Sequence, residues 1–166
     1  MLVALMAGGT GCASGPTPRA WAASVCEALG PWRAEIGSLT ARTREQMTAA
    51  TTPAQAKENL VRLFGGAQAA SETARSRVEQ AGVPDTDGGD AVAAGFLASL
   101  TAVRDAYGKA RDSIEKLATA RASEFYDGVE AVMKVLDSEY GRSALDTTKL
   151  DSPELKQAFD EVPECH

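Results

Sequence analysis

Few side chains in this sequence could do chemistry: three cysteines, Cys12, Cys26 and Cys165, and one histidine, the terminal His166. Cys26, Cys165 and His166 would offer a metal two thiolates and one imidazole, an incomplete tetrahedral set, so a disulfide beside a dangling histidine is the better account. The run Glu164-Cys165-His166 lacks the first cysteine of the haem-attachment pattern CxxCH. No other histidine exists to serve as a buried base, and no GxSxG turn presents a serine. Carboxylate di-iron sites in helical bundles need ExxH pairs facing inward. None occurs here, and Glu58, Glu72, Glu115 and Glu130 fall off the apolar seams traced below. The pairs Gly65-Gly66 and Gly88-Gly89 lack the lysine and flanking strand of a phosphate loop, and Asp85 with Asp87 supply too few ligands for a calcium loop. Together these features predict a chain with no catalytic residue, no metal and no cofactor. The acids, 23 against 17 bases for a net charge of -6, disfavour a sequence-independent grip on nucleic acid, which needs a basic surface.

The cysteines are better read by their positions. The chain opens MLVALMAGGTGC, an apolar stretch and then small residues running into Cys12, followed by ASGPTP. This order resembles a bacterial lipobox, in which the cysteine is diacylated and becomes the mature N-terminus. It departs from that pattern in having Gly9 where a branched apolar residue is usual and no Lys or Arg ahead of residues 2–7. On this reading residues 1–11 are a signal-peptide-like segment and residues 12–18 a lipidated, palmitate-bearing cysteine with a flexible tether. Residues 19–166 are the folded domain. If Cys12 carries lipid, Cys26 and Cys165 remain as an even pair. A bond between them would close a loop of well over 100 residues, for which the chain-entropy model gives roughly 4 to 5 kcal/mol. Disulfides persist in oxidising, extracytoplasmic compartments, so lipid and disulfide support one another. Two free thiols, one buried and one on the tail, are the alternative.

The elements that must hold these cysteines are helical. Length alone, 166 residues, allows one domain with a real core, and no apolar run reaches the ~20 residues of a membrane-spanning helix. Thr17-Pro18, Thr52-Pro53 and Ser152-Pro153 each place a hydroxyl cap before a proline whose missing N–H costs nothing at the first helical position. After the first, Trp21, Val25, Leu29, Trp32, Ile36 and Leu39 recur at steps of three and four, so one helix face is buried and both tryptophans are core. Gly30-Pro31 is expected to kink or split that helix. Leu60, Phe64, Ala67, Ser71, Ala74, Val78 and Ala81 form a second seam. Its small residues invite a close neighbour, Gly65-Gly66 is its weak or bent point, and Gly82 with Pro84 ends it. The turn VPDTDGGD offers Asp87 or Asp90 as the next cap. Phe96, Leu100, Val103, Tyr107, Ala110, Ile114 and Leu117 make the strongest seam, in which Tyr107, if buried, would point to a polar site inside the bundle. Phe125, Val129, Val132 and Leu136 make the fourth. A polar linker, SALDTTKLD, then leads to a short last helix with Leu155, Ala158 and Phe159, which would fold back over one end and bring Cys165 to Cys26. This pattern predicts an all-α fold, an antiparallel up-down four-helix bundle with a short extra C-terminal helix.

The segments WAASVCEALGPW, AGVPDTDGG and LKQAFDEVPEC resemble a group of small secreted proteins and lipoproteins of high-GC Gram-positive bacteria, over nearly the whole mature chain from Trp21 to Cys165. That resemblance implies a helical, extracytoplasmic protein with one terminal-to-terminal disulfide and no assigned activity. The expectation is therefore a non-catalytic cell-envelope lipoprotein on the outer face of the cell membrane, or secreted. It would be held to the membrane by Cys12 and would bind an envelope protein or small ligand of unknown identity. A sensory or adaptor ectodomain is the nearest alternative, and an intracellular helical interaction protein with reduced cysteines the more distant one.

Overall fold

Three of the helices begin where a side-chain oxygen takes an orphan backbone N–H. A computed structural model describes residues 15–142 and 150–166. Among these the molecule is all-helical, with α1 Pro18–Gln46, α2 Pro53–Gln80, α3 Gly89–Glu115, α4 Ala122–Arg142, α5 Pro153–Glu161 and a closing 3-10 turn Pro163–Cys165. The signal-like segment 1–11, Cys12 and most of the polar linker lie outside the described residues. Thr17 caps α1 by accepting from the N–H of Ala20. Thr52 and Gln55 form a reciprocal capping box on α2, and Ser152 accepts from the N–H of Leu155 on α5.

Burial follows the traced seams. Leu60, Phe64, Ala67, Ser71, Ala74 and Val78 are buried on α2, and Phe96, Leu100, Val103, Tyr107, Ala110 and Ile114 on α3. Trp21 and Trp32 are both core. On α4 only Phe125 and Leu136 are fully buried, while Val129 and Val132 are half-buried. Helix α1 packs on α2, α2 on α3 and α3 on α4, and α5 with the closing turn packs on α1. As α1 climbs from Trp21 to Trp32 to Leu39, its partners step down from Gly82, just past the end of α2, to Ser71 and Gly66 on α2. Helices α1 and α4 are not a packed pair among the described residues.

Four local expectations change. Helix α1 runs unbroken through Pro31, because the ring and Glu27, whose carbonyl loses its bond, both lie on the exposed side while Leu29 and Trp32 anchor the turns around them. Helix α2 is equally continuous across Gly65-Gly66. A Cβ on Gly66 would lie 2.8 Å from Leu39 Cδ2, so this glycine lets α1 approach rather than marking a weak point. The cap of α3 is neither Asp87 nor Asp90 but Gly88, at φ +72° and without a side-chain bond. Its neighbour Gly89 passes so close to Pro84 that a Cβ would sit 2.3 Å from the carbonyl oxygen, and a turn that tight excludes a capping side chain. Finally, the end of the tether is docked. The Asp85 N–H donates to the Pro16 carbonyl at 2.9 Å, and Gly15 lies directly against the Val83 carbonyl.

The glycines give a contrast that stability measurements can read. A Cβ at Gly65 would meet only the Arg111 side chain at 3.7 Å, so Gly65→Ala is expected to stabilise by about 0.5–1 kcal/mol through its helix propensity. Gly89→Ala forces a backbone clash and should cost about 1–3 kcal/mol. Urea unfolding of the two variants beside the parent checks both signs.

Candidate functional site

Cys26 sits on the buried face of α1, one turn above Ala22 and beside Val25 and Leu29. The closing turn brings Cys165 to it, and the two form a disulfide with S–S 2.03 Å and Cα atoms 5.0 Å apart across a sequence separation of 139. Cys26 is buried and Cys165 half-buried, with its sulfur 3.9 Å from the Ala22 carbonyl oxygen. Both thiols are thus consumed in one bond, and His166 Nε2 donates to the Asp160 carbonyl at 3.0 Å. Among the described residues no three His, Cys, Asp or Glu side chains converge in a way that could hold a metal ion.

An aromatic cluster backs the clasp. Trp21 meets Phe96 edge-on at 5.4 Å and Phe159 at 5.9 Å, while Phe96 and Phe159 stack at 5.7 Å. The Trp21 indole N–H donates to the Gly82 carbonyl at 2.9 Å, so α1, the turn after α2, α3 and α5 meet at one residue. Further along, the Trp32 indole N–H donates to Ser71 Oγ at 3.0 Å, and the Ser71 hydroxyl donates to the Ala67 carbonyl at 2.8 Å. This chain is fully buried, and it is the interior polar feature that the periodicity did not reveal, because Ser71 on a small-residue seam looks like one more small residue. Tyr107, expected to mark such a place, instead stacks on Phe64 at 6.5 Å and tilts against Tyr140 at 6.3 Å. Burial, and then the neighbouring Tyr140, push its hydroxyl up to about 12.

Of the four carboxylates tested as metal ligands, Glu58, Glu115 and Glu130 lie exposed. Glu72 bridges two helices, 2.8 Å from Arg75 on its own helix and 2.8 Å from Arg104 on α3. The hydrogen bond from Arg75 and then that from Arg104 hold its carboxyl at about 2. Asp87 lines a shallow acidic depression with Asp151 and Glu154, where the Thr86 hydroxyl donates to Glu154. Contrary to the expectation of no catalytic serine motif, SxxK is not absent: Ser113 and Lys116 have the spacing of a serine–lysine pair. They lie exposed in the last turn of α3, where the Ser113 carbonyl accepts from the Lys116 N–H. A helix C-terminus presents carbonyls rather than the N–H donors an oxyanion requires.

The remaining surface feature is α4. Its outer edge and α3 enclose an apolar groove of about 200 Å³ floored by Ala106 and Ala110 and walled by Val132 and Val135. The Lys109–Glu139 ion pair, at 3.0 Å, stands at the groove. Tyr126, Met133 and Val135 are large apolar side chains left exposed on this helix.

Two measurements follow from the buried and bridging polar groups. Ser71→Ala leaves the Trp32 N–H without its acceptor in the core and should cost about 1–3 kcal/mol in urea unfolding. The same substitution in a Trp32→Phe background should cost clearly less. For Glu72, the folded carboxyl lies below its ordinary value of 4.5, so its contribution is present above pH 4.5 and is lost as pH falls towards about 2. The Tm gap between the parent and Glu72→Gln should be steady above that value and close below it. No protein-family model, no curated protein and no solved structure matches the chain.

Proposed function

We propose that this chain is a non-catalytic cell-envelope lipoprotein: an antiparallel up-down four-helix bundle with a short fifth helix, held to the outer face of the cell membrane by a diacylated Cys12. Its role is to bind an envelope protein or small ligand. The observation that carries this reading is the Cys26–Cys165 disulfide, because such bonds persist in oxidising compartments and are rare where thiols are kept reduced. The stepwise registers of α1 on α2, and of Phe64 and Glu72 on α2 with Tyr107 and Arg104 on α3, support the up-down arrangement. A non-catalytic role is supported by how the reactive groups are engaged. Both described thiols are bonded to each other, His166 is bound to a backbone carbonyl, and Glu72 is held between two arginines.

The anchoring has a geometric consequence. Gly15 is seated against Val83, so only Ala13 and Ser14 separate a lipidated Cys12 from the folded domain, a reach of at most about 11 Å. The turn between α2 and α3, with the half-exposed Val83, would then lie next to the bilayer, and the opposite end of the bundle would project outward.

Intact mass of the native protein from cell fractions tests the reading. The expected result is a membrane-associated species bearing a diacylglycerol mass on Cys12 and gaining two hydrogens on reduction. A soluble cytosolic species with unmodified Cys12 and two alkylatable thiols would overturn it.

A further inference from the structure

We propose that the Cys26–Cys165 bond latches a lid: residues 152–166 cover an aromatic slot between α1 and α3, and reduction of the bond by a dithiol lets them lift while the rest of the bundle stays folded. The proposal goes beyond the envelope reading and uses neither lipid nor partner. Helix α4 covers only part of α3. Tyr140, two residues from the end of α4, meets Tyr107, whereas about three turns earlier on α3 the ring against Phe96 is Phe159 of α5. The walls of this slot have contacts of their own. Trp21 is hydrogen-bonded to the Gly82 carbonyl and meets Phe96 edge-on. The Trp32–Ser71 bond ties α1 to α2, and Glu72 with Arg104 ties α2 to α3.

The lid is held differently. Among the described residues, α1 is the one element with which α5 and the closing turn form packed pairs, and no backbone hydrogen bond joins residues 152–166 to another element. Their side-chain hydrogen bonds to the other helices and turns are exposed ones, Arg19 with Glu161 and Thr86 with Glu154. What remains is the burial of Leu155, Ala158, Phe159 and Val162. A helix of nine residues is too short to keep its shape alone, so that burial must also offset the ordering of the segment. The bond fixes the far end of the segment and so keeps these side chains at a high effective concentration over the slot; without it that end is free.

The two sulfurs differ in access. Cys165 is half-buried in a turn that has no buried residue, whereas Cys26 lies in the core, so an incoming thiolate reaches Cys165 first. Its attack on Cys165 Sγ forms a mixed disulfide and breaks the bond to Cys26, which leaves as a thiolate. The second thiolate of the reductant then attacks the reductant's own sulfur in the mixed disulfide, and Cys165 leaves in turn. Two electrons pass to the protein, the two cysteines take up the two protons that the reductant's thiols lost, and the reductant departs as its disulfide. The reverse steps close the lid.

The test compares the full chain oxidised, the same chain in dithiothreitol without denaturant, and Cys26→Ala with Cys165→Ala, which removes the bond without a reductant. Hydrogen exchange read by mass spectrometry should show the amides of residues 155–162 exchanging roughly tenfold or more faster in the second and third forms, while the seam amides of α2 and α3 keep their protection. Acrylamide quenching of tryptophan fluorescence should rise with them, because the lid covers Trp21 and leaves Trp32 to α2. Reoxidation should restore both signals. The proposal is overturned if the exchange of 155–162 or the quenching is unchanged once the bond is gone. It is equally overturned if α2 and α3 lose protection together with α5, since the bond would then hold the whole fold, or if dithiothreitol opens the bond only in denaturant. Each of these outcomes leaves the bond and the lipid on Cys12 untouched, so failure of the lid is distinct from failure of the envelope reading.

Discussion

The bond between Cys26 and Cys165 joins the third turn of α1 to the closing turn of the chain, and it limits what every intervening helix can do. Closing a loop across a separation of 139 residues removes about 5 kcal/mol of unfolded-state entropy in the chain-entropy model. That is a large share of the stability of an ordinary domain. The bond also fixes α5, nine residues long and too short to be a stable helix alone, on the face of α1. Its apolar residues Leu155, Ala158, Phe159 and Val162 are then buried, and Phe159 completes the ring cluster with Trp21 and Phe96. Covalent closure and aromatic packing act at the same end of the molecule and reinforce one another.

Away from the clasp, the interface of α1 with α2 depends on small residues meeting large ones. Ser71 meets the Trp32 indole, and Gly66 leaves room for Leu39. The indole N–H brought in by that fit needs an acceptor, and Ser71 provides it while its own hydroxyl donates a hydrogen bond to the Ala67 carbonyl. A buried hydrogen bond of this kind contributes less to net stability than it costs when broken, so it selects one register of α1 on α2. On the other side of α2 the register is set in partial exposure, by Glu72 with Arg104 and by Gln68 with Arg111. These polar contacts discriminate among registers more than they add stability.

Helix α4 stands apart. It carries as regular a seam as its neighbours, but packs chiefly on one helix and buries two of its four seam residues fully. The clasp, the aromatic cluster and the buried hydrogen bond all involve α1, α2, α3 or α5, so α4 can present apolar side chains without endangering the core.

Much of this architecture was legible in the linear chain. The starts of α1, α2 and α5 follow from hydroxyl–proline pairs, whose effect is local, and the seams of α2 and α3 from steps of three and four, which any helix converts into one face. The partnership of Cys26 with Cys165 was also within reach, since few cysteines leave few pairings. Lipidation of Cys12 concerns a residue outside the described structure and rests on the sequence pattern. What the chain alone could not decide depends on contacts between residues far apart. Pro31 is tolerated because its side of α1 faces solvent, Gly66 is a site of close approach because Leu39 arrives there, and Ser71 matters because Trp32 does. Gly88 displaces the aspartate caps because Gly89 must clear Pro84. Periodicity states which face of a helix is apolar. Only packing decides how much of that face finds a partner, because burial is a property of two surfaces and a sequence segment describes one.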